Sequence, residues 1–161
     1  MDALGKSPIP VPLLITGKLA MLCCWLFFIV KIQGIEMLYD STSTQIIAGV
    51  IILSGVLFIV LGFICLGNSV SVGLPREKTE FRTHGIFCIT RNPLYLGGFL
   101  ICAASCLYSV HPLNFILFAI AYAIHHSIIL KEEKFLEKTF GNQWLEYKKQ
   151  VPRYLRLKFG I

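Results

Sequence analysis

Residues 45–66 read QIIAGVIILSGVLFIVLGFICL, and this stretch decides the class of fold. It contains no charged residue, and a run of about 20 apolar residues is enough for one helix to cross a membrane. Three further apolar stretches follow the same pattern, at approximately 11–32, 94–110 and 112–130. The sequence therefore predicts an all-α, polytopic membrane protein with about four transmembrane helices.

Two of these stretches need a separate argument. The first must include Lys18, because the twelve residues between Lys18 and Lys31 are too few to cross a membrane. The long Lys18 side chain can extend to the near membrane surface. A cleaved signal peptide is the alternative, but no small-x-small cleavage site follows Phe28. The third and fourth stretches are separated only by residues 108–112, which predicts a tight helical hairpin.

Composition supports a membrane protein. Hydrophobic residues make up 55% of the 161 residues, charged residues only 15%, and the mean hydropathy is +0.70. Soluble domains contain about 25% charged residues. The net charge of +6 is therefore interpreted as attraction to a membrane surface rather than to nucleic acid. The six cysteines are scattered through apolar segments without zinc-ligand spacing, so we expect free thiols and no metal site.

The basic residues predict the orientation in the membrane. Of the 15 Lys and Arg residues, four lie in 76–91 and eight in 131–158, whereas 33–44 contains none. Because cytoplasmic loops are enriched in Lys and Arg, we expect both basic segments and both chain ends on the cytosolic side. The 33–44 and 108–112 connections then face outwards. The sequence does not distinguish a bacterial inner membrane from the endoplasmic reticulum.

The first polar cluster precedes the third apolar stretch and contains Arg91, Asn92, Pro93 and Tyr95. Asn92 and Pro93 suit the N-cap and the first position of a helix, so that pair alone indicates only where the helix begins. Arg91 and Tyr95 are not needed for a cap, and a helix start beside an arginine is a site where an anion can bind. Gly97 indicates close packing against another helix.

The second polar cluster lies at the end of the fourth apolar stretch. Residues seven apart on a helix point nearly the same way, so His125 and Glu132 share the face that should pack against protein. A carboxylate on such a face at the membrane boundary needs a partner. Glu132 is therefore a candidate ligand-binding residue, and an ion pair with Arg82 or Arg91 is the alternative.

The residues around Glu132 in the sequence point less clearly to a ligand-binding role. Glu133 lies between two faces of the helix, where we expect it to be solvated, and His126 is a weaker candidate than His125. Basic residues at 131, 134 and 138 share a separate face that suits lipid phosphates. Residues 140–154 are amphipathic and predict a cytosolic tail helix at the membrane interface.

Together these segments resemble the integral-membrane methyltransferases typified by isoprenylcysteine carboxyl methyltransferase and the phospholipid N-methyltransferases. That family combines a Gly-hydrophobic-Tyr turn, an Arg-(His or Asn)-Pro-x-Tyr-x-Gly motif, a helical hairpin, a Glu-Glu pair and a Phe-Gly-x-x-Tyr-x-x-Tyr segment with Val-Pro. The resemblance covers residues 79–154, about half of the chain. The matching residues are Gly85-Ile86-Phe87, Arg91-Asn92-Pro93-Leu94-Tyr95-Leu96-Gly97, Glu132-Glu133, Phe140-Gly141-Asn142-Gln143-Trp144-Leu145-Glu146-Tyr147 and Val151-Pro152-Arg153.

The resemblance implies an enzyme that binds S-adenosylmethionine in a cytosol-facing pocket. It implies one domain over 1–161, in which 1–67 supplies N-terminal transmembrane helices and 68–161 the cofactor-binding, catalytic part. Arg91, His125 and Glu132 are then the candidate catalytic residues. The candidate cofactor-binding residues are Thr79, Glu80, Phe81, Arg82, Phe87, Asn92, Pro93, Leu94, Tyr95 and Glu132.

The implied methyl acceptor is lipophilic, carrying either an isoprenylcysteine-like carboxylate or a phospholipid amine. Phe87 stands where the family usually has Tyr, and Ile128 stands where the prenylcysteine enzymes have a substrate-contacting Arg. An amine must lose a proton before it is methylated, and His125 is the natural base. Two alternatives stay open: a membrane sterol or steroid reductase that uses a nicotinamide cofactor, and a non-enzymatic membrane protein.

Overall fold

The computed structural model describes residues 10–32, 34, 39, 41–67 and 81–155. Within these ranges the chain is helical and contains no strand, which confirms the all-α prediction. The elements are α1 (Val11–Ile32), α2 (Thr42–Leu66), a 3₁₀ turn (Gly85–Cys88), α3 (Pro93–Ser109), α4 (Pro112–Phe140) and α5 (Asn142–Gln150).

The helices agree with the predicted apolar stretches except at the end of α4. Helices α1, α2 and α4 are long and apolar enough to cross a membrane, and α3 is a shorter apolar helix. Helix α4 continues ten residues beyond position 130 because the charged segment that follows is rich in the good helix formers Lys, Glu and Leu. It ends at Gly141, whose φ of 52° is left-handed. At 1.5 Å per residue α4 is about 44 Å long, more than the hydrocarbon core of about 30 Å.

Glycines set the closest contact between helices, where α2 crosses α3. A Cβ atom built on Gly55 of α2 would lie 2.9 Å from the backbone oxygen of Gly97 on α3. Two turns along α2, Gly62 leaves room for Leu94. Small residues allow such close backbone approach in membrane helices, so the predicted role of Gly97 agrees with the geometry. Helix α1 packs on α3 and α4 from another side.

A buried polar cluster joins α1, α3 and α4 at the end of the bundle away from Glu132. Ser105 Oγ donates to the Cys24 carbonyl at 2.6 Å. Asn114 Nδ2 donates to Ser105 Oγ at 3.0 Å and to Ser109 Oγ at 2.9 Å. Such bonds between membrane helices satisfy polar groups that lipid cannot. All six cysteines are free thiols, as predicted.

We predict that Gly97→Ala lowers the stability of the protein in detergent by about 1–3 kcal/mol, because the added methyl group forces α2 away from α3. Gly49→Ala is the matched control, since a Cβ there meets no atom within 4 Å. Thermal unfolding followed by tryptophan fluorescence compares the two variants. Equal melting temperatures for both would contradict the packing role of Gly97.

Candidate active site

The first contact of the site joins the start of α3 to the C-terminal part of α4. Tyr95 Oη donates to Glu132 Oε1 at 3.0 Å. Tyr95 lies in the first turn of α3 because Pro93 occupies a first helical position and Asn92 is the N-cap. The structure therefore brings together two side chains that lie 37 residues apart in the chain.

Asn92 has the position of an N-cap but does not cap the helix with its side chain. Its Nδ2 instead donates to the backbone oxygen of Arg153 at 3.1 Å, and Thr90 Oγ1 donates to the same oxygen at 3.0 Å. The Arg91 amide donates to the Pro152 oxygen at 3.0 Å. Three consecutive residues before α3 are thus tied to the segment after α5.

Glu133 forms the ionic centre of the site, and the expectation that it is solvated was wrong. Glu133 is only 5% exposed. Arg153 binds it with two hydrogen bonds, Nε to Oε1 at 2.9 Å and Nη2 to Oε2 at 2.8 Å. Arg91 Nη2 lies 3.2 Å from Oε1. Arg91 therefore pairs with Glu133, whereas the ion-pair alternative placed it on Glu132.

One carboxylate between two guanidinium groups leaves the Arg91–Glu133–Arg153 cluster with a net positive charge. Burial lowers the pKa of Arg91 while Glu133 acts in the opposite direction, and the hydrogen bond to Glu133 raises the pKa of Arg153. Arg91 Nε and Nη1 are buried and have no hydrogen-bond partner among the described residues. The Trp144 ring lies 5.3 Å from the Arg91 guanidinium carbon. Arg91 therefore retains donors that a bound acceptor can use.

Helix α5 covers this cluster through its aromatic face. Phe81 stacks on Phe140 with ring centroids 4.9 Å apart, and Trp144 and Tyr147 pack around them. Tyr147 Oη donates to the Phe87 carbonyl at 2.7 Å, and burial raises the pKa of Tyr147. The amphipathic tail helix is confirmed, but its aromatic face packs on protein.

The two adjacent histidines lie in different surroundings. His125 is buried, its ring centroid is 6.0 Å from that of Tyr95, and its Nδ1 lies 2.7 Å from the Ala121 carbonyl oxygen. Because a carbonyl only accepts, Nδ1 carries the proton of that bond and Nε2 keeps its lone pair in the neutral ring. His126 instead contacts Tyr154, with Nδ1 and Oη 2.8 Å apart.

Several of the predicted site residues lie away from the contact between Tyr95 and Glu132. Leu94 faces α2, and Phe81 and Phe87 lie with α5. Arg82 is half-buried in the segment that leads into the 3₁₀ turn. Thr79 and Glu80 lie outside the described residues. The residues brought together at the junction of α3 and α4 are Arg91, Asn92, Pro93, Tyr95, His125 and Glu132.

An open groove with a volume of about 550 Å³ lies beside this junction, between residues 81–88 and α5. Phe81 and Tyr147 line it together with polar side chains of α5. Within the described part of the chain, its lining does not include Tyr95 or Glu132. In the same ranges no cluster of three His, Cys, Asp or Glu side chains could hold a metal ion.

Sequence reasoning missed the roles of Glu133, Arg153 and Thr90. Arg153 stood in the quoted Val-Pro-Arg segment, but nothing local marked it as the partner of a carboxylate 20 residues earlier. An arginine that follows a proline directly after an amphipathic helix was the available signal.

A comparison with known families identifies the relationship. The model of a family described as phospholipid methyltransferase matches residues 43–143. The chain belongs to that family. Together with the apolar helices, membership indicates a membrane protein, and the resemblance given by the sequence motifs is confirmed.

A curated relative gives a second comparison. The chain is 26% identical over 147 residues to protein-S-isoprenylcysteine O-methyltransferase of Xenopus laevis. That alignment covers 89% of this chain and 51% of the relative, so the chain spans about half the length of the curated relative it matches. No solved structure matches the chain.

We predict that Glu133→Ala costs about 3–5 kcal/mol of stability, because it leaves two arginines without their shared buried partner. Glu146→Ala is the matched control: its side chain is 65% exposed and pairs with Lys149, so its loss costs less than about 1 kcal/mol. Thermal unfolding in the same detergent measures both. Similar costs for the two variants would contradict the structural role of Glu133.

Proposed function

We propose that this protein is a methyltransferase that transfers a methyl group from S-adenosylmethionine to a lipophilic acceptor held in the membrane. The observation that supports this most strongly is the meeting of two family motifs, residues 91–95 and 132–133, through the Tyr95–Glu132 hydrogen bond and the Arg91–Glu133 pair. The basic segments around this junction favour a site on the cytosolic side.

The residues at the junction fit the chemistry of the cofactor. Arg91 has two buried donor nitrogens with no partner in the described ranges, and an arginine is suited to bind a carboxylate. Glu132 is suited to accept from an ammonium group or a ribose hydroxyl. The Tyr95 ring offers an aromatic face to a cation. Opposite charges are therefore arranged to bind the amino-acid end of the cofactor.

When bound, S-adenosylmethionine supplies an electrophilic methyl group on a sulfonium. A displacement of this kind depends chiefly on alignment of the reacting atoms, which positioned side chains provide. The hydrogen bond from Tyr95 fixes one oxygen of Glu132, and the contact with Glu133 fixes one end of Arg91. These two side chains act as separate anchors, one for each charge of the ligand.

The surroundings of His125 favour an amine acceptor. Its Nε2 has a lone pair available in the neutral ring and can accept the proton that an ammonium headgroup loses. Ile124 and Ile128 form a buried apolar cluster against which Leu14 and Tyr95 pack. This cluster makes the surroundings of His125 apolar. The absence of an arginine at position 128 favours the amine over a prenylcysteine carboxylate.

We predict that the purified protein in nanodiscs binds S-adenosylmethionine and not NADPH when titrated in a calorimeter. Binding of NADPH alone would favour the reductase alternative. If neither compound binds, both the methyltransferase and the reductase proposals fail, and the non-enzymatic alternative is favoured.

Glu132→Gln removes the negative charge while keeping the shape of the side chain. We expect the affinity for S-adenosylmethionine to fall about tenfold or more, as for loss of a charged hydrogen bond, with the protein still folded. Glu137→Gln, a change of the same kind at a side chain that is 45% exposed, should leave the affinity unaltered. Unchanged affinity in Glu132→Gln would reject the role given to Glu132.

A further inference from the structure

We propose that Arg153 is a positioning residue that prevents Glu133 from occupying the donors of Arg91. In this role the C-terminal segment 151–154 sets the affinity of the site for the carboxylate of its ligand. The inference rests on the proposed function, since it takes Arg91 as the residue that binds that carboxylate.

The contacts of Glu133 support this role directly. Arg153 takes both of its oxygens, at 2.9 and 2.8 Å. Arg91 reaches only Oε1, through Nη2 at 3.2 Å. The carboxylate therefore forms a two-pronged pair with Arg153 and a single, longer contact with Arg91. Glu133 holds one edge of the Arg91 guanidinium in place, and Nε and Nη1 have no hydrogen-bond partner in the described part of the chain.

The unpaired donors of Arg91 are the reason why the position of Glu133 matters for ligand binding. Its side chain is 6% exposed, yet Nε and Nη1 have no hydrogen-bond partner in the described part of the chain. Unmade hydrogen bonds of buried charged groups are costly. If Arg153 were absent, the Glu133 carboxylate would be free to rotate and form the two-pronged pair with Arg91 that guanidinium and carboxylate groups prefer. The donors would then be occupied from within the protein.

Backbone hydrogen bonds hold Arg153 in the position from which its side chain binds Glu133. The oxygens of Pro152 and Arg153 accept hydrogen bonds from three consecutive residues before α3, at distances of 3.0–3.1 Å. Tyr154, the next residue, contacts His126 of α4. Residues 152–154 are therefore anchored on residues 90–92, before α3, and on α4, and the Arg153 side chain binds Glu133 of α4. Removing only that side chain leaves these backbone bonds in place.

Two nucleosides test the proposal on the full chain in nanodiscs: S-adenosylhomocysteine, which has the carboxylate, and 5′-methylthioadenosine, which lacks it. Arg153→Gln should weaken binding of S-adenosylhomocysteine about tenfold, while binding of 5′-methylthioadenosine changes by less than about twofold. Arg153→Lys keeps a cation beside Glu133 but cannot bind both of its oxygens as a guanidinium does, so it should weaken binding of S-adenosylhomocysteine by an intermediate factor of about three. Lys149→Gln, an exposed change nearby, is the control. Equal loss for both nucleosides, or no loss for either, would overturn the proposal.

The double variant Glu133→Gln with Arg153→Gln separates positioning from general damage to the fold. A neutral amide does not compete for Arg91 as a carboxylate does, so the double variant should bind S-adenosylhomocysteine at least about threefold more tightly than Arg153→Gln alone. A structural role predicts that the second change weakens binding further, and that result would contradict the proposal. Arg153→Met, which keeps the unbranched stem, replaces Arg153→Gln in both comparisons if the latter does not fold.

A measurement without ligand keeps this inference distinct from the proposed function. If the wild-type protein binds neither nucleoside, the proposed function fails. The ¹⁵N signal of the Arg91 Nε–H group, in protein labelled at arginine, then decides the positioning role. We expect that signal to shift in Arg153→Gln as Glu133 turns towards it, and to stay in place in Lys149→Gln. An unshifted signal in Arg153→Gln would overturn the proposal.

Discussion

The buried carboxylate of Glu133 is the constraint on which the end of the molecule that carries Tyr95 and Glu132 depends. A carboxylate in such surroundings is tolerated only when its charge and its hydrogen bonds are compensated. Two arginines compensate it, one from the residues before α3 and one from the segment after α5. Since Glu133 itself lies near the end of α4, the ionic cluster brings three separate parts of the chain to one point. The positions of Tyr95 and Glu132 beside it follow from that junction.

The rest of the bundle brings α3 and α4 to this junction. Gly55 and Gly97 allow the backbones of α2 and α3 to touch, and the hydrogen bonds of Asn114 and Ser105 fix the opposite end of the hairpin. Apolar side chains cover the outer faces of α1 and α2, where several are more than half exposed. Lipid is the solvent that suits those faces. The polar junction therefore lies at one end of a bundle whose outer faces on α1 and α2 are apolar.

Hydropathy predicted the helices well because each apolar stretch is a local property of the chain. The apolar run ends near position 130, but the helical periodicity of the charged residues that follow indicated that the helix continues, and α4 extends to Phe140. The proximity of Tyr95 and Glu132 agrees with the contacts implied by the family motifs, and the face assigned to Glu132 followed from helical periodicity. Helical periodicity misplaced Glu133, because one helix examined alone does not show that residues 151–154 return to cover its second face. Non-local contacts of this kind also account for the missed role of Arg153.

We propose that Arg91 and Glu132 together hold the amino-acid end of S-adenosylmethionine. An electron cryo-microscopy structure of the protein in nanodiscs with S-adenosylhomocysteine tests it most directly. The account predicts the ligand carboxylate at hydrogen-bond distance, about 3 Å, from Arg91 Nε or Nη1, with Glu132 on its amino group or ribose. Density for the ligand in the groove between residues 81–88 and α5, away from both side chains, would contradict it.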